Sequence, residues 1–136
     1  MSDGNAGNAG NAANAGDVGD AAADRLAATG RVGALALPLA QEDVPDAQRV
    51  AGTPRTGLIE LGSFGGSEVG VWEMTPGTMS DVESDELFVV IAGRARVEFV
   101  ATGDVIDIGP GDVVRLTAGD ETVWTVTETL RKVWLA

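Results

Sequence analysis

Three Gly-Asp pairs, Gly103-Asp104, Gly111-Asp112 and Gly119-Asp120, lie eight residues apart and constrain the fold more than any other feature of the chain. Such an interval holds one turn and one strand of about 5–6 residues. The apolar or alternating runs between them belong to a longer stretch from Glu86 to Gly119. This is the rhythm of a small antiparallel sandwich or barrel, with no room for the helical crossovers of a parallel sheet.

Upstream, the same reading predicts strands at Thr56–Leu61 and Val69–Thr75, joined by a turn at Ser63–Ser67 and ended by Pro76-Gly77. A polar segment, Thr78–Asp85, leads into strands at Glu86–Ala92 and Arg94–Val100, with a turn at Gly93. Asp104–Ile108, Asp112–Leu116, Glu121–Thr127 and Leu130–Leu135 follow, with Glu128-Thr129 as a tight connection between the last two. Gln41–Pro54, broken by Pro45, Gly52 and Pro54, reads as loop. Val32–Leu39 carries leucines at period two, and Pro38 places it at a sheet edge. Asp20–Gly30 offers a helix cap and stop around a single bulky anchor, Leu26, so one short helix is allowed there. Residues 1–19 repeat Asn among Gly and Ala, and that composition predicts a disordered tail before a domain spanning 20–136.

At 136 residues the chain has room for one core. A formal charge of -12 makes nucleic acid and anionic membrane poor partners, since both are held by clustered cations. No apolar run is long enough to span a bilayer. The opening MSDGNAGNAGN lacks the basic and apolar regions of a secretion signal, so a cytoplasmic location is expected. With neither His nor Cys, thiol catalysis and a Ser–His–acid triad are excluded. The glycine-rich pieces lack the pattern and context of a phosphate loop.

The succession VGVWEMTPG, DELFVVIAGRARV and IGPGDVVRLTAGDETVWTVTETLRKVWL, over residues 69 to 135, resembles the cupin superfamily. More narrowly it is similar to small cupin domains related to (S)-ureidoglycine aminohydrolase. The resemblance implies an all-β, single-domain double-stranded β-helix, or jelly roll. It also implies that Glu86 and Gly93 hold the last two places of the family's first motif. The two His places of that motif then fall within Met79–Val82, and the third His place falls on Thr122. Every imidazole of the site that holds iron, manganese, zinc or nickel in metal-dependent members is therefore missing. The oxygen donors left are a poor set for a transition ion, so no metal or other cofactor is expected. Ammonia release in ureidoglycine aminohydrolase is manganese-dependent, so that activity is not implied here.

Candidate site residues follow from strand parity. Glu86 is in phase with Phe88 and Val90 and is the candidate catalytic acid or base; the bland alternative is a solvated or Arg-paired carboxylate. Trp72, Phe88 and Trp124 are candidate walls of a ligand cavity or plain core, and Thr122 joins them by its motif place. Trp134 reads as core or as cover for a partner subunit. Glu73, with Asp81, offers an acidic pocket for an amine, although Glu73 has opposite parity to Trp72 and solvated surface charge is the stronger reading for Asp81. Arg115, if inward, would neutralise Glu86 or grip a substrate carboxylate. Arg94 and Arg96 share a face with Glu98 and read as salt-bridged or solvated surface, with an anion-binding pair as the sharper alternative.

Three functions stay open: a metal-independent domain binding a small polar molecule, a metal-independent isomerase or lyase using Glu86, and a structural module with no active pocket. A homodimer is expected, through an edge strand or an exchanged segment, with residues 32 to 39 as the natural donor.

Overall fold

The computed structural model describes residues 24–136, together with two short paired strands, β1 (Asn5–Ala6) and β2 (Ala9–Gly10). The rest of the expected disordered tail lies outside the described residues. So do positions 20–23 of the candidate helix, of which the structure shows one 3-10 turn, Asp24–Leu26.

The body is all β. Nine strands follow: β3 (Gln41–Asp43), β4 (Arg49–Ala51), β5 (Arg55–Phe64), β6 (Ser67–Met74), β7 (Gly77–Val82), β8 (Glu86–Phe99), β9 (Val105–Ile108), β10 (Val113–Leu116) and β11 (Glu121–Leu135). They form one curled antiparallel sheet in the order β10-β8-β11-β6-β5-β3, with β9 added to β8 and β4 joined through β7 to β11. This is a half-barrel of the jelly-roll kind. The Gly-Asp turns fall where the spacing places them. Each glycine has positive φ, and Asp112 and Asp120 accept the backbone N–H of Gly109 and Thr117 across their turns.

Two expected turns are instead bends inside long strands. Glu86–Ala92 and Arg94–Val100 are one strand, β8, that passes through Gly93 at φ +91°. A side chain at Gly93 would meet the carbonyl of Thr129 at 2.0 Å, so only glycine fits. Opposite it, β11 runs unbroken through Glu128-Thr129 and absorbs the bend as register shifts between Val126 and Lys132. The two longest strands therefore curve together and carry residues into both halves of the sheet.

Three further expectations are corrected. The polar segment after Pro76-Gly77 is a strand, β7, paired with the start of β11. The loop Gln41–Pro54 contains β3 and β4, whose pairing with β5 and β7 outweighs their polar composition. Val32–Leu39 forms no strand. It crosses the outer face of the sheet as turn and coil, and Leu37 packs there with Ile59, Leu61 and Val71. The inner face buries the main core, in which Trp72, Phe88, Trp124 and Trp134 are the large rings among Met, Val, Leu and Ile side chains. Trp134 fits because Gly70 lies opposite, where a Cβ would come within 2.4 Å of the indole.

Candidate functional site

Strand parity puts an unusual set of side chains on the inner face. β11 turns Thr122, Trp124, Leu130, Lys132 and Trp134 inward, and β8 turns Glu86, Phe88 and Val90 inward. β6 contributes Trp72 and Met74, and β7 contributes Met79 and Asp81. Glu83 lies beyond β7, but its backbone is pinned by hydrogen bonds from its N–H to Asp120 O and from Gly119 N–H to its own carbonyl, both 2.8 Å.

Lys132 is the centre of this set. Its side chain is 1% exposed, and Nζ lies 2.7 Å from Oε2 of Glu86, itself 2% exposed. The ammonium sits 4.2, 4.5 and 4.9 Å from the ring centroids of Phe88, Trp72 and Trp124, within cation–π range of all three. Nearby, Oε2 of Glu83 accepts hydrogen bonds from Thr122 Oγ1 at 2.6 Å and Trp124 Nε1 at 2.9 Å. Oε1 of Glu83 is buried with no hydrogen-bond partner among the described residues. Asp81 Oδ1 accepts from Val82 N–H at 2.9 Å and from Gln48 Nε2 at 3.3 Å.

Three buried carboxylates around one ammonium leave negative charge in excess. Burial, reinforced by the neighbouring charge of Glu83, pushes Asp81 up to about 8, against the pull of Val82 N–H and Lys132. Burial also raises Glu83, opposed by Lys132 and by the hydrogen bonds from Thr122 and Trp124. Asp81 and Thr122 line a cleft of about 520 Å³ whose walls include Gln48, Ser80, Val82 and Val100.

The structure thus brings Glu86, Trp72, Phe88, Thr122 and Trp124 into one cluster and leaves two candidates out. Glu73 faces the opposite side of β6, where its carboxylate meets Arg131 Nη2 at 2.7 Å and the amide of Gln41. Arg115 is exposed on β10, so the inward alternative for it is corrected. Arg96 pairs with Asp107 on the surface at 2.9 Å.

Lys132 and Glu83 are the residues the sequence reading passed over. One signal for Lys132 was present: it is the only lysine beside eight arginines, in phase with Leu130 and Trp134. Glu83 lies outside any strand, and no periodicity marks it.

The metal set implied by the resemblance does not fit these residues. The places of the missing imidazoles present Met79, Asp81 and Thr122, and a fixed ammonium already lies against Glu86. Among the described residues, no three His, Cys, Asp or Glu side chains are arranged to hold a metal ion.

Comparison with known proteins agrees with this architecture. Residues 61–134 match the family model described as the EutQ-like cupin domain. The EutQ protein of Clostridium difficile superposes with a TM-score of 0.59 at 14% identity, over 77% of this chain and 83% of that one. A Pseudomonas syringae protein of the DUF861 family, of unknown function, gives 0.60 at 21% identity, over 74% and 44% of the two chains. A structure from a report on the DMSP lyases RdDddP and RnDddQII gives 0.51 at 21% identity, over 59% and 46%. At these identities the likeness is one of fold. No curated protein matches the chain.

Proposed function

The chain belongs to the EutQ-like cupin domain family, and from that premise we propose that it is a metal-independent acid–base catalyst, of isomerase or lyase type, acting on a small polar molecule beside Asp81 and Thr122. The observation that carries this reading is the buried Asp81–Glu83–Glu86–Lys132 cluster, which reaches the cleft through Asp81. A core built only for stability is served as well by apolar residues, because desolvating charges offsets most of their attraction. The narrower resemblance to ureidoglycine aminohydrolase carries no activity into this reading.

Isomerisation and elimination both need one group that gives a proton and one that takes it. Asp81 holds its proton at neutral pH and is the donor at the cleft. Glu83, raised by burial against the opposing pull of Lys132, Thr122 and Trp124, is the second carboxyl of the pair and stands behind it. Two neighbouring buried carboxyls that titrate as a pair can pass a proton between them, which such an exchange uses. Glu86, enclosed with Lys132, contributes by setting the charge around that pair, and Thr122 positions Glu83. The aromatic trio acts through Lys132. One structural neighbour comes from work on lyases, so lyase chemistry is compatible with the scaffold.

The test is proton exchange. Small carbon acids (oxo acids, hydroxy acids and amino compounds) are incubated with the protein in D2O and followed by NMR. We expect deuterium incorporation or loss of a leaving group for at least one compound, unaffected by chelator and reduced about 100-fold in Asp81→Asn. Turnover of none, or activity abolished by chelator and restored by manganese or zinc, overturns the proposal.

Binding without turnover is the second reading, favoured by the mixed lining of the cleft, with Gln48, Ser80 and Thr122 beside Val82, Val100 and Val123. A thermal-shift screen of amines and small carboxylates tests it, with Asp81→Asn as the comparison. As part of the same proposal we place the chain in a homodimer. Its interface is the β10 edge, where Val113 is exposed, with Leu87 exposed beside it on β8, rather than the 32–39 segment, which packs on its own sheet. Light scattering tests this, and a monomer contradicts it.

A further inference from the structure

We propose that Lys132 is the resident cation of this site. Its ammonium fills, from within the chain, the place beside Glu86 that the resemblance gives to a metal ion, and the surrounding cage is selective for a primary ammonium.

A transition ion wants nitrogen or sulfur donors, and calcium or magnesium wants many oxygens. The groups around Nζ are instead three aromatic faces at 4.2–4.9 Å and one carboxylate oxygen at 2.7 Å. Aromatic faces attract a cation through their quadrupole without a coordinate bond, and that chemistry suits an organic ammonium. A lysine removed from water keeps its charge only where such partners replace the lost hydration.

Residue choice points the same way. The chain meets every other need for a cation with arginine, eight times, and uses lysine once, at this position. One residue earlier, Arg131 sits where a planar fork is needed: it reaches Glu73 and the carbonyls of Ala34 and Leu37. At 132 the cage closes on a single point charge, and a guanidinium would be too broad. The inference does not rest on the catalytic reading, because a cage with a resident ammonium is equally a feature of a protein that only binds.

Lys132→Ala removes the side chain beyond Cβ and leaves a space the shape of propylammonium. We expect Lys132→Ala to melt well below the wild type. Propylammonium should restore its Tm in a saturable, concentration-dependent way. Neither 1-propanol nor Mn2+ should do so, and the wild type should not respond to propylammonium. Equal recovery with 1-propanol, recovery with Mn2+, or a Lys132→Ala variant as stable as the wild type overturns the proposal. The wild-type chain carries a second test that needs no variant. Lysine-selective 15N labelling gives a single Nζ signal, which should be displaced by ring currents and slow to exchange with solvent. An undisplaced, rapidly exchanging signal overturns the proposal as well. Failure of the D2O assay would leave both results standing, so the two readings fail separately.

Discussion

Arg131 and Lys132 are consecutive residues on one strand, and each is half of an ion pair with a 2.7 Å contact, part-buried for Arg131 and fully buried for Lys132. They point to opposite faces of the sheet, and their surroundings differ in kind. Arg131 is satisfied by hydrogen bonds: Nε and Nη2 reach Glu73, and Nη1 reaches the carbonyls of Ala34 and Leu37. It fastens the coil over residues 32–39 to the outer face. Lys132 has rings where Arg131 has carbonyls, and two further carboxylates, Asp81 and Glu83, stand close enough to feel its charge. The outer pair is complete, whereas the inner one leaves a cluster with more carboxylates than cations and a proton to place. A buried ion pair alone says little about function; the groups around it decide.

The comparison breaks most visibly at the inner pair. Glu86→Gln or Lys132→Met alone strands a buried charge and should cost about 3–5 kcal/mol in urea denaturation. Glu86→Leu with Lys132→Met, which removes both, should recover most of that loss. Two independent, additive losses would show that the residues do not act as a pair.

Arg131→Met should cost less, about 2 kcal/mol, because the outer pair keeps more contact with water. Its distinguishing sign is local. Amide exchange should speed up across residues 32–39 and stay unchanged at Trp124 and Lys132. Uniform acceleration would contradict the fastening role.

A smaller effect separates the faces by pH. Asp81 is raised to about 8 in the folded chain from an ordinary 3.8, so the native state holds a proton that the unfolded state releases. Stability is then full below about pH 4 and falls as pH rises to about 8. Glu83, also raised, adds in the same direction. Asp81→Asn cannot ionise, so its stability relative to the wild type should improve with pH, with little difference at pH 4 and the largest gain near pH 8. A gain that does not vary with pH would sink the assignment. The smallest effect belongs to the exposed pair Arg96–Asp107, whose removal should leave Tm unchanged.

What was legible in the sequence follows from how local each signal is. The Gly-Asp turns are made by neighbouring residues, so their places could be read directly. The inward face of Glu86, Phe88 and Val90 follows from period two alone, as does the separation of Trp72 from Glu73. Gly93 was legible as a glycine that must bend the chain, but not as a bend inside a strand. That distinction depends on the Thr129 carbonyl lying across from it. β3 and β4 exist because β5 and β7 offer them edges, which no local propensity reports. Glu83 was hidden for the same reason, being held by the turn at Gly119-Asp120 far along the chain. Lys132 was open to reading as a lone lysine on an apolar face, but its three rings come from three strands brought together only by folding.

A carboxyl group that keeps its proton at neutral pH, Asp81, stands at the edge of the cleft. Carbon-13 NMR of aspartate-labelled protein, assigned through Asp81→Asn, reads that group directly. The Asp81 carboxyl is expected to titrate near pH 8. Titration near pH 4, as for a solvated aspartate, would contradict it.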